Sequence, residues 1–430
     1  MRSFFSVLVL AVFLLGTEVS MAQAFSPYSR YGLGYIHSDE FSSTRGMGGI
    51  ATGYSSSSHI NHVNPASYAD IALTTFEVGV NADALTVKTK DSVYNGVGGS
   101  VNHVAIGIPL IRGKWGMSFG LLPYSHLNYS FALSDVDTSK VYTGKGSLYQ
   151  VYVGTAYKIK GFSLGINGGY MFGSMDYTKG FAFTDSLNAY NVSNVTTMRV
   201  GGFVYNIGAQ YKVRLMKKTN QNGLRNDIFL TVGAQGSGGV KLTSRLSSQW
   251  QRFVASADGS QQLVIDTPLT ITDRAGKVVM PYNFSVGATV GYENWWMVGI
   301  DFKYAGWSQF KYDLNDHSMG DSWRIALGGC ITPNYDSRKF LNRLQFKAGG
   351  YYGVSEIIYQ GDHLTEYGGT LGLSVPLVFG ALYREAARFH FSADIGSRSP
   401  GNKDLITENY YRFHFGFTLN NIWFVKRKFD

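Results

Sequence analysis

From residue 74 to the end of the chain, large apolar side chains alternate with small or polar ones. In YQVYVGTAYKI, Tyr149, Val151, Val153, Thr155, Tyr157 and Ile159 share one face, and Gln150, Tyr152, Gly154, Ala156 and Lys158 the other. FSLGINGGYMF sets Phe162, Leu164, Ile166, Tyr170 and Phe172 against Ser163, Gly165, Asn167 and Gly169. GGFVYNIGAQYKV repeats the pattern through Phe203, Tyr205, Ile207 and Tyr211, and YRFHFGFTL through Tyr411, Phe413, Phe415 and Phe417. A period of two marks a strand with one face in an apolar medium. In a soluble sandwich that face turns inward, and in a membrane barrel it turns to lipid.

Fourteen such runs can be marked: 74–84, 99–110, 115–127, 147–159, 162–174, 198–213, 227–240, 279–292, 295–306, 322–332, 343–354, 364–376, 388–397 and 410–422. The number is even, as single-chain bacterial barrels require, and most runs have the length of a tilted strand crossing a bilayer. The connections then fall into two classes. One set (85–98, 128–146, 175–197, 241–278, 307–321, 355–363 and 398–409) is mostly long and polar. The other (111–114, 160–161, 214–226, 293–294, 333–342 and 377–387) is mostly short. Long outer loops alternating with short periplasmic turns are a barrel property that a sandwich has no reason to copy. The expectation is therefore all-β: a 14-stranded antiparallel transmembrane β-barrel in the outer membrane of a Gram-negative bacterium. Its N- and C-termini are expected in the periplasm, and 25–73 forms an N-terminal luminal plug (hatch) ahead of a barrel at 74–430.

Composition supports this class. Aromatic residues make up 15% of the chain, glycines number 52 of 430, and charged residues are only 16%, below the ~25% of soluble domains. The first 24 residues combine Arg2, the apolar run FFSVLVLAVFLLG and a terminal Ala22-Gln23-Ala24, the order of a cleaved secretory signal. That run is too short to span a bilayer. Cys330, the only cysteine, allows no internal disulfide and is read as a small packing residue.

The net charge of +9 is not gathered into a basic block with interleaved aromatics, and export argues further against a nucleic-acid partner. The short-turn side carries Lys217, Lys218, Arg338, Lys339 and Arg384, with Lys426, Arg427 and Lys428 in the C-terminal tail; Lys160, Arg214, Arg225, Arg343 and Arg388 add to it. This basic periplasmic face suits lipid headgroups, or an acidic periplasmic partner. Trp115, Trp295, Trp296, Trp307, Trp323 and Trp423 are placed to form interface belts.

Several local patterns suggest chemistry. Residues 45–53, RGMGGIATG, contain a G-x-G-x-x-A spelling of a dinucleotide fingerprint. No strand precedes it and no helix follows it, so that reading fails on context. His59 and His62 form an H-x-x-H with His37, Asp39 and Glu40 upstream. Two ligands at that spacing do not make a metal site without a third. His390, Asp394 and His414, with Ser392, share the inward face of the last two strands and could be spelled as a relay. Together with Asp301, Lys303, Arg324, Lys347 and Arg412 they read instead as luminal hydrogen bonds and ion pairs, since buried charges must be paired. No catalytic residue, metal or cofactor is assigned. Sequons at Asn128, Asn191 and Asn194 carry no weight in a bacterial outer membrane.

Before the first strand, Arg45-Gly46-Met47-Gly48-Gly49-Ile50-Ala51 is followed by Asn64-Pro65-Ala66. Here the chain resembles the FadL (long-chain fatty-acid transporter) family. In that family a Gly/Ala-rich stretch and an Asn-Pro-Ala build the N-terminal hatch of a fourteen-strand barrel. SPYSRYGLGYI and LTEYGGTLGLSVPL resemble a divergent branch, which includes PorV-like barrels of type IX secretion and FadL-like subunits of the outer-membrane assembly (BAM) machinery. The resemblance implies hatch roles for Arg45, Gly46, Gly48, Gly49, Asn64, Pro65 and Ala66. It also implies passive uptake of a hydrophobic small molecule, the family's default, or else a non-transporting place in a larger outer-membrane protein complex. Outer-membrane lipid and lipopolysaccharide are the surrounding partners. The polar loops 134–146 and 241–278 favour the complex, and the family default favours transport.

Overall fold

The alternating runs pair edge to edge into a closed sheet. The computed structural model describes residues 26–135, 138–183, 190–216, 227–255, 262–292, 295–312, 314, 319–335, 337, 339–377, 387–401 and 405–421. Fourteen wall strands follow one another: β1 Thr74–Lys88, β2 Val93–Ile111, β3 Trp115–Ser134, β4 Thr138–Ile159, β5 Phe162–Phe183, β6 Asn191–Met216 and β7 Ile228–Ser237, then β8 Asn283–Tyr292, β9 Trp296–Ala305, β10 Ser322–Ile331, β11 Gln345–Tyr359, β12 Asp362–Leu377, β13 Ala387–Ser399 and β14 Thr407–Asn421. Each pairs antiparallel with the next. β14 returns to β1 in a ladder from Thr407↔Lys88 to Asn421↔Thr74, which closes the barrel. Val153, Leu164, Phe203 and Phe413 stand exposed outside, while Tyr152, Ser163, Asn167 and His414 are buried inside. An apolar exterior on this scale requires lipid around it.

The connections differ from the sequence expectation. Most of the stretches expected as long loops are strand. β1 and β2 continue to Lys88 and from Val93, β3 and β4 to Ser134 and from Thr138, and β5 and β6 to Phe183 and from Asn191. Segment 241–278, expected as a loop, supplies two further strands, Lys241–Ala255 and Gln262–Val279, paired as a hairpin whose first strand continues the sheet beside Asn191–Gly201 of β6. Beyond the lipid both faces of a strand are wet, so the apolar alternation stops although the backbone ladder continues. An apolar cluster that includes Leu127, Leu148, Met171, Met198, Leu242 and Trp307 fills this long-connection half. Trp307, expected in an aromatic belt, is buried there because it lies in a short 3-10 turn, Trp307–Gln309, off the wall.

One ladder stops short. β2 and β3 pair only from Ile111↔Trp115 to Val104↔Leu121. Among the described residues, above that point β2 residues 93–103 pair only with β1, and β3 beyond Leu121 pairs with β4 and a two-residue stretch, Tyr35–Ile36. The cause is local. Pro123 has no N–H to give, and Tyr124 bulges out of the β3–β4 register. On the facing lip Asn102 is skipped in the β1–β2 register. The wall therefore carries a seam, with Tyr35–Ile36 laid along its β3 side and the His37 N–H donating to Tyr124 O at 2.9 Å.

Segment 26–73 runs along the inward side of the wall from one end to the other. Ser26 N–H donates to Asn128 O and its hydroxyl to Glu408, both in the long-connection half. Asp70 lies at the short-turn end, 2.5 Å from Lys158 Nζ. Its first described residue lies toward the opposite end from Thr74, because Ser26, Tyr28 and Ser29 find their partners at Glu408, Ile406 and Asn128.

Candidate functional site: the lumen

The luminal segment is shaped first by its own residues. Gly48 and Gly49 have φ of +71° and +77°, a left-handed turn that side chains resist. Arg45 is 8% exposed. Its Nε donates to Glu40 O at 2.9 Å and its two terminal nitrogens reach Ser38 Oγ and O at 2.7 and 2.6 Å. Arg45 thus holds the preceding loop rather than the wall. Gly46 approaches Gly372 of β12, where a Cβ would lie 2.8 Å from the Gly372 Cα.

Asn64 ends the next turn. Its Oδ1 accepts from Ala66 N–H at 3.1 Å and caps the 3-10 turn Pro65–Asp70, for which Pro65 supplies the preset φ. Its Nδ2 donates to Thr52 O at 2.8 Å and reaches Ala209 O of β6 at 3.2 Å. Replacing Asn64 with alanine removes a buried cap and the amide that ties Thr52 to the wall. It should cost about 2–3 kcal/mol of segment stability, read as a lower midpoint in a denaturant titration followed by protease cleavage within 26–73.

The charged luminal residues divide into two groups. The first grips the segment. Asp301 Oδ2 accepts both Ala51 N–H and Thr52 N–H at 2.7 Å. Lys303 pairs with Glu40. Arg324 lies 3.8 Å over the Tyr351 ring and reaches Gly48 O at 3.3 Å. Lys347 Nζ donates to Ser43 O at 2.6 Å. Burial alone would raise the Glu40 carboxyl, but Lys303, Arg45 and Arg324 together hold it well below the usual carboxylate range. At the short-turn end burial likewise raises Asp70, and Lys212 and Lys158 outweigh it and hold it low.

The second group ties wall strands together. Tyr351 OH donates to Asp394 at 2.8 Å, and Arg412 stands 3.6 Å from Asp394 and 3.7 Å above the Tyr410 ring. His414 Nδ1 bonds Asn81 at 2.7 Å. His390 bonds Ser374 and Thr418 at 2.7 and 3.0 Å and meets the His59 ring edge-on. His390, Asp394 and His414 therefore each have separate partners, and among the described residues no hydrogen bond links them into a relay. His62 packs between Phe41 and Tyr152, and the described residues bring no three metal-ligating side chains together. Of the basic face, Lys339 is exposed. Lys217, Lys218, Arg338, Arg384, Lys426, Arg427 and Lys428, like the expected signal segment 1–24, lie outside the described residues.

Two buried carboxylates, Glu366 and Glu77, and the histidine that meets His37 were missed by sequence reasoning. Glu366 accepts from Arg398 at 3.1 Å and from Tyr410 OH at 2.8 Å. Glu77, 2% exposed, accepts from Ile60 N–H at 3.2 Å. His37 and His126 meet nitrogen to nitrogen at 2.9 Å across the seam strap. Beside the seam, a cavity of about 60 Å³ is lined by His37, Arg45, Asp83, Glu408, Arg412 and neighbours. A larger one of about 280 Å³ lies against Asp39, Glu40, Lys303, Arg324 and Glu366. Both linings mix charged side chains with aromatic and apolar ones.

A sequence model of a family described as BamG matches residues 4–430 of the chain. No curated protein sequence matches it. Among solved structures, a Pseudomonas aeruginosa FadL homologue is similar with a TM-score of 0.60 at 12% identity, over 90% of this chain and 99% of its own. The Pseudomonas putida toluene transporter TodX gives 0.51 at 14% identity, over 90% of this chain and 99% of its own. A TodX deltaS2S3 mutant, described as a monoaromatic hydrocarbon channel, gives 0.57 at 15%, over 89% and 99%. At these identities the likeness is one of fold.

Proposed function

The chain belongs to the BamG family, and from that premise we propose that it is a FadL-type outer-membrane barrel serving as a non-transporting subunit of an outer-membrane protein-assembly complex. The observation that carries this reading is the way the lumen is held. Asp301, Lys303, Arg324 and Lys347, from three neighbouring strands, all bond segment 40–52. Buried contacts to charged groups are costly to break one-sidedly. Segment 25–73 then acts as a stopper, residues 1–24 as its removed leader, and the short-turn end, where β1 starts and β14 ends, faces the periplasm. The basic positions around that end would meet an acidic partner. The test is extraction of tagged protein from native outer membranes in mild detergent. The reading expects a larger barrel complex to co-purify in fixed ratio, and recovery of the chain alone would sink it.

A second reading, passive uptake of a hydrophobic small molecule, draws support from the seam between β2 and β3. An unpaired lip gives an apolar molecule a lateral way through a barrel wall. The charged lining of the cavity beside it weighs against an apolar occupant. Accumulation of an apolar fluorescent probe in proteoliposomes, above that in protein-free vesicles, would favour this second reading.

A further inference from the structure

At the short-turn end, a cavity of about 100 Å³ lies between the luminal segment and the wall. Lys212, Lys347 and Arg388 line it, with His59 and the hydroxyls of the Ser55–Ser58 turn and Ser43. Arg388 is 4% exposed and Lys347 6%. Lys212 stands 3.9 Å from Asp70, and elsewhere in the lumen Lys303, Arg398 and Arg412 each stand against a carboxylate. Among the described residues no carboxylate pairs with Arg388 or Lys347, and none lines this cavity.

Three buried polar atoms here are also without partners: Arg388 Nε, His59 Nε2 and Ser43 Oγ. His59 Nδ1 lies 3.1 Å from Ser56 Oγ and 3.2 Å from Ser58 Oγ. A hydroxyl donating to Nδ1 leaves the ring proton on Nε2, which is then an unused donor. Two buried cations with no carboxylate in contact are destabilising, and so is each orphaned donor. One group would satisfy all of them, an anion with several oxygens.

We propose that this cavity binds a phosphate group. A carboxylate offers two oxygens in a plane, whereas the donors here come from a guanidinium, an ammonium, an imidazole and hydroxyls on both the segment and the wall. A tetrahedral oxyanion meets donors from several sides, and arginine matches it with paired N–H groups. Two sources carry that chemistry. Trp296, exposed on the outside of the wall at the start of β9, and Trp295, stacked on Tyr292, border the cavity at the depth of an interface belt. A phospholipid headgroup could reach in there, and a free phosphate compound could enter from the barrel end. The site stands whether the barrel is a subunit or a channel.

The test uses the full mature chain in a detergent that carries no phosphate. Inorganic phosphate, titrated against chloride at equal ionic strength, should raise the unfolding temperature by about 2 °C or more, and Arg388→Gln should abolish the shift while the protein still migrates as a folded barrel on unheated gels. If Arg388→Gln fails to fold, Lys347→Gln takes its place with the same expectation. Native mass spectrometry separates the sources. A phospholipid retained by the wild type and lost from the variant assigns the site to a headgroup, and a phosphate shift without retained lipid assigns it to a free oxyanion. Neither a phosphate-specific shift nor a retained lipid, or equal binding by wild type and variant, overturns the proposal.

Discussion

Replacing Asp301 with alanine should release the middle of the luminal segment while leaving the barrel closed. Asp301 is 1% exposed, and its Oδ2 accepts two backbone N–H groups, Ala51 and Thr52, at 2.7 Å each. Hydrogen bonds to a charged group contribute about 1.5–3 kcal/mol each, and the alanine also strands two buried donors. The expected loss is about 3–5 kcal/mol for the segment, while the β8–β9 and β9–β10 backbone ladders do not use that side chain. Arg45 reports the change. It is buried in the native protein, so trypsin should cut after it slowly in the wild type and at least tenfold faster in Asp301→Ala. Asp301→Asn keeps an acceptor and should fall between. Equal cleavage in all three proteins would mean that these anchors do not hold the segment.

The second large effect concerns two glycines on one strand. Gly165 of β5 faces inward, and a Cβ there would lie 2.5 Å from Pro65 C and 2.6 Å from Ala66 N. Gly168 of β5 has nothing within 4 Å of a Cβ. Gly165→Val must push the Pro65–Asp70 turn off the wall, a clash with backbone that costs about 3 kcal/mol or more. Gly168→Val meets open space and, as a β-branched residue in a strand, should be neutral or slightly stabilising. The yield of folded, heat-modifiable barrel in a refolding assay should therefore drop sharply for the first variant and stay at the wild-type level for the second. The same imprint recurs at Gly208 beside Asn64, Gly233 beside Thr52 and Gly328 beside Met47. These inward glycines are thus a cast of the segment.

That cast explains what could be read in the sequence. The small inward positions were visible in the alternation, as in Gly165 and Asn167 opposite Leu164 and Ile166. Wall strands and closure follow from the same period. What presses on those positions was not visible, because a glycine spelled into a strand looks the same whether it meets backbone or water. Strand ends were lost where lipid ends, which also hid Arg398 and Glu408, two residues that lie just past the expected bounds of their strands. Glu366 did lie inside an expected strand on the inward side. Its pairing with Arg398 follows only from the β12–β13 register, Glu366↔Arg398. The seam does have a signal in the sequence: Pro123 inside the run 115–127 cannot complete a central ladder.

Whether the luminal segment is a stopper or a gate is read directly by native-state hydrogen exchange of the wild type in lipid nanodiscs. Peptides covering 44–54 and 60–70 carry the amides bonded to Asp301, Thr370, Glu77 and Asn64. For a stopper these amides exchange as slowly as those of β11 and β12 and open only with the barrel itself. If the two peptides instead exchange together, at least a hundredfold faster than the wall, the segment opens as a unit and the barrel is gated.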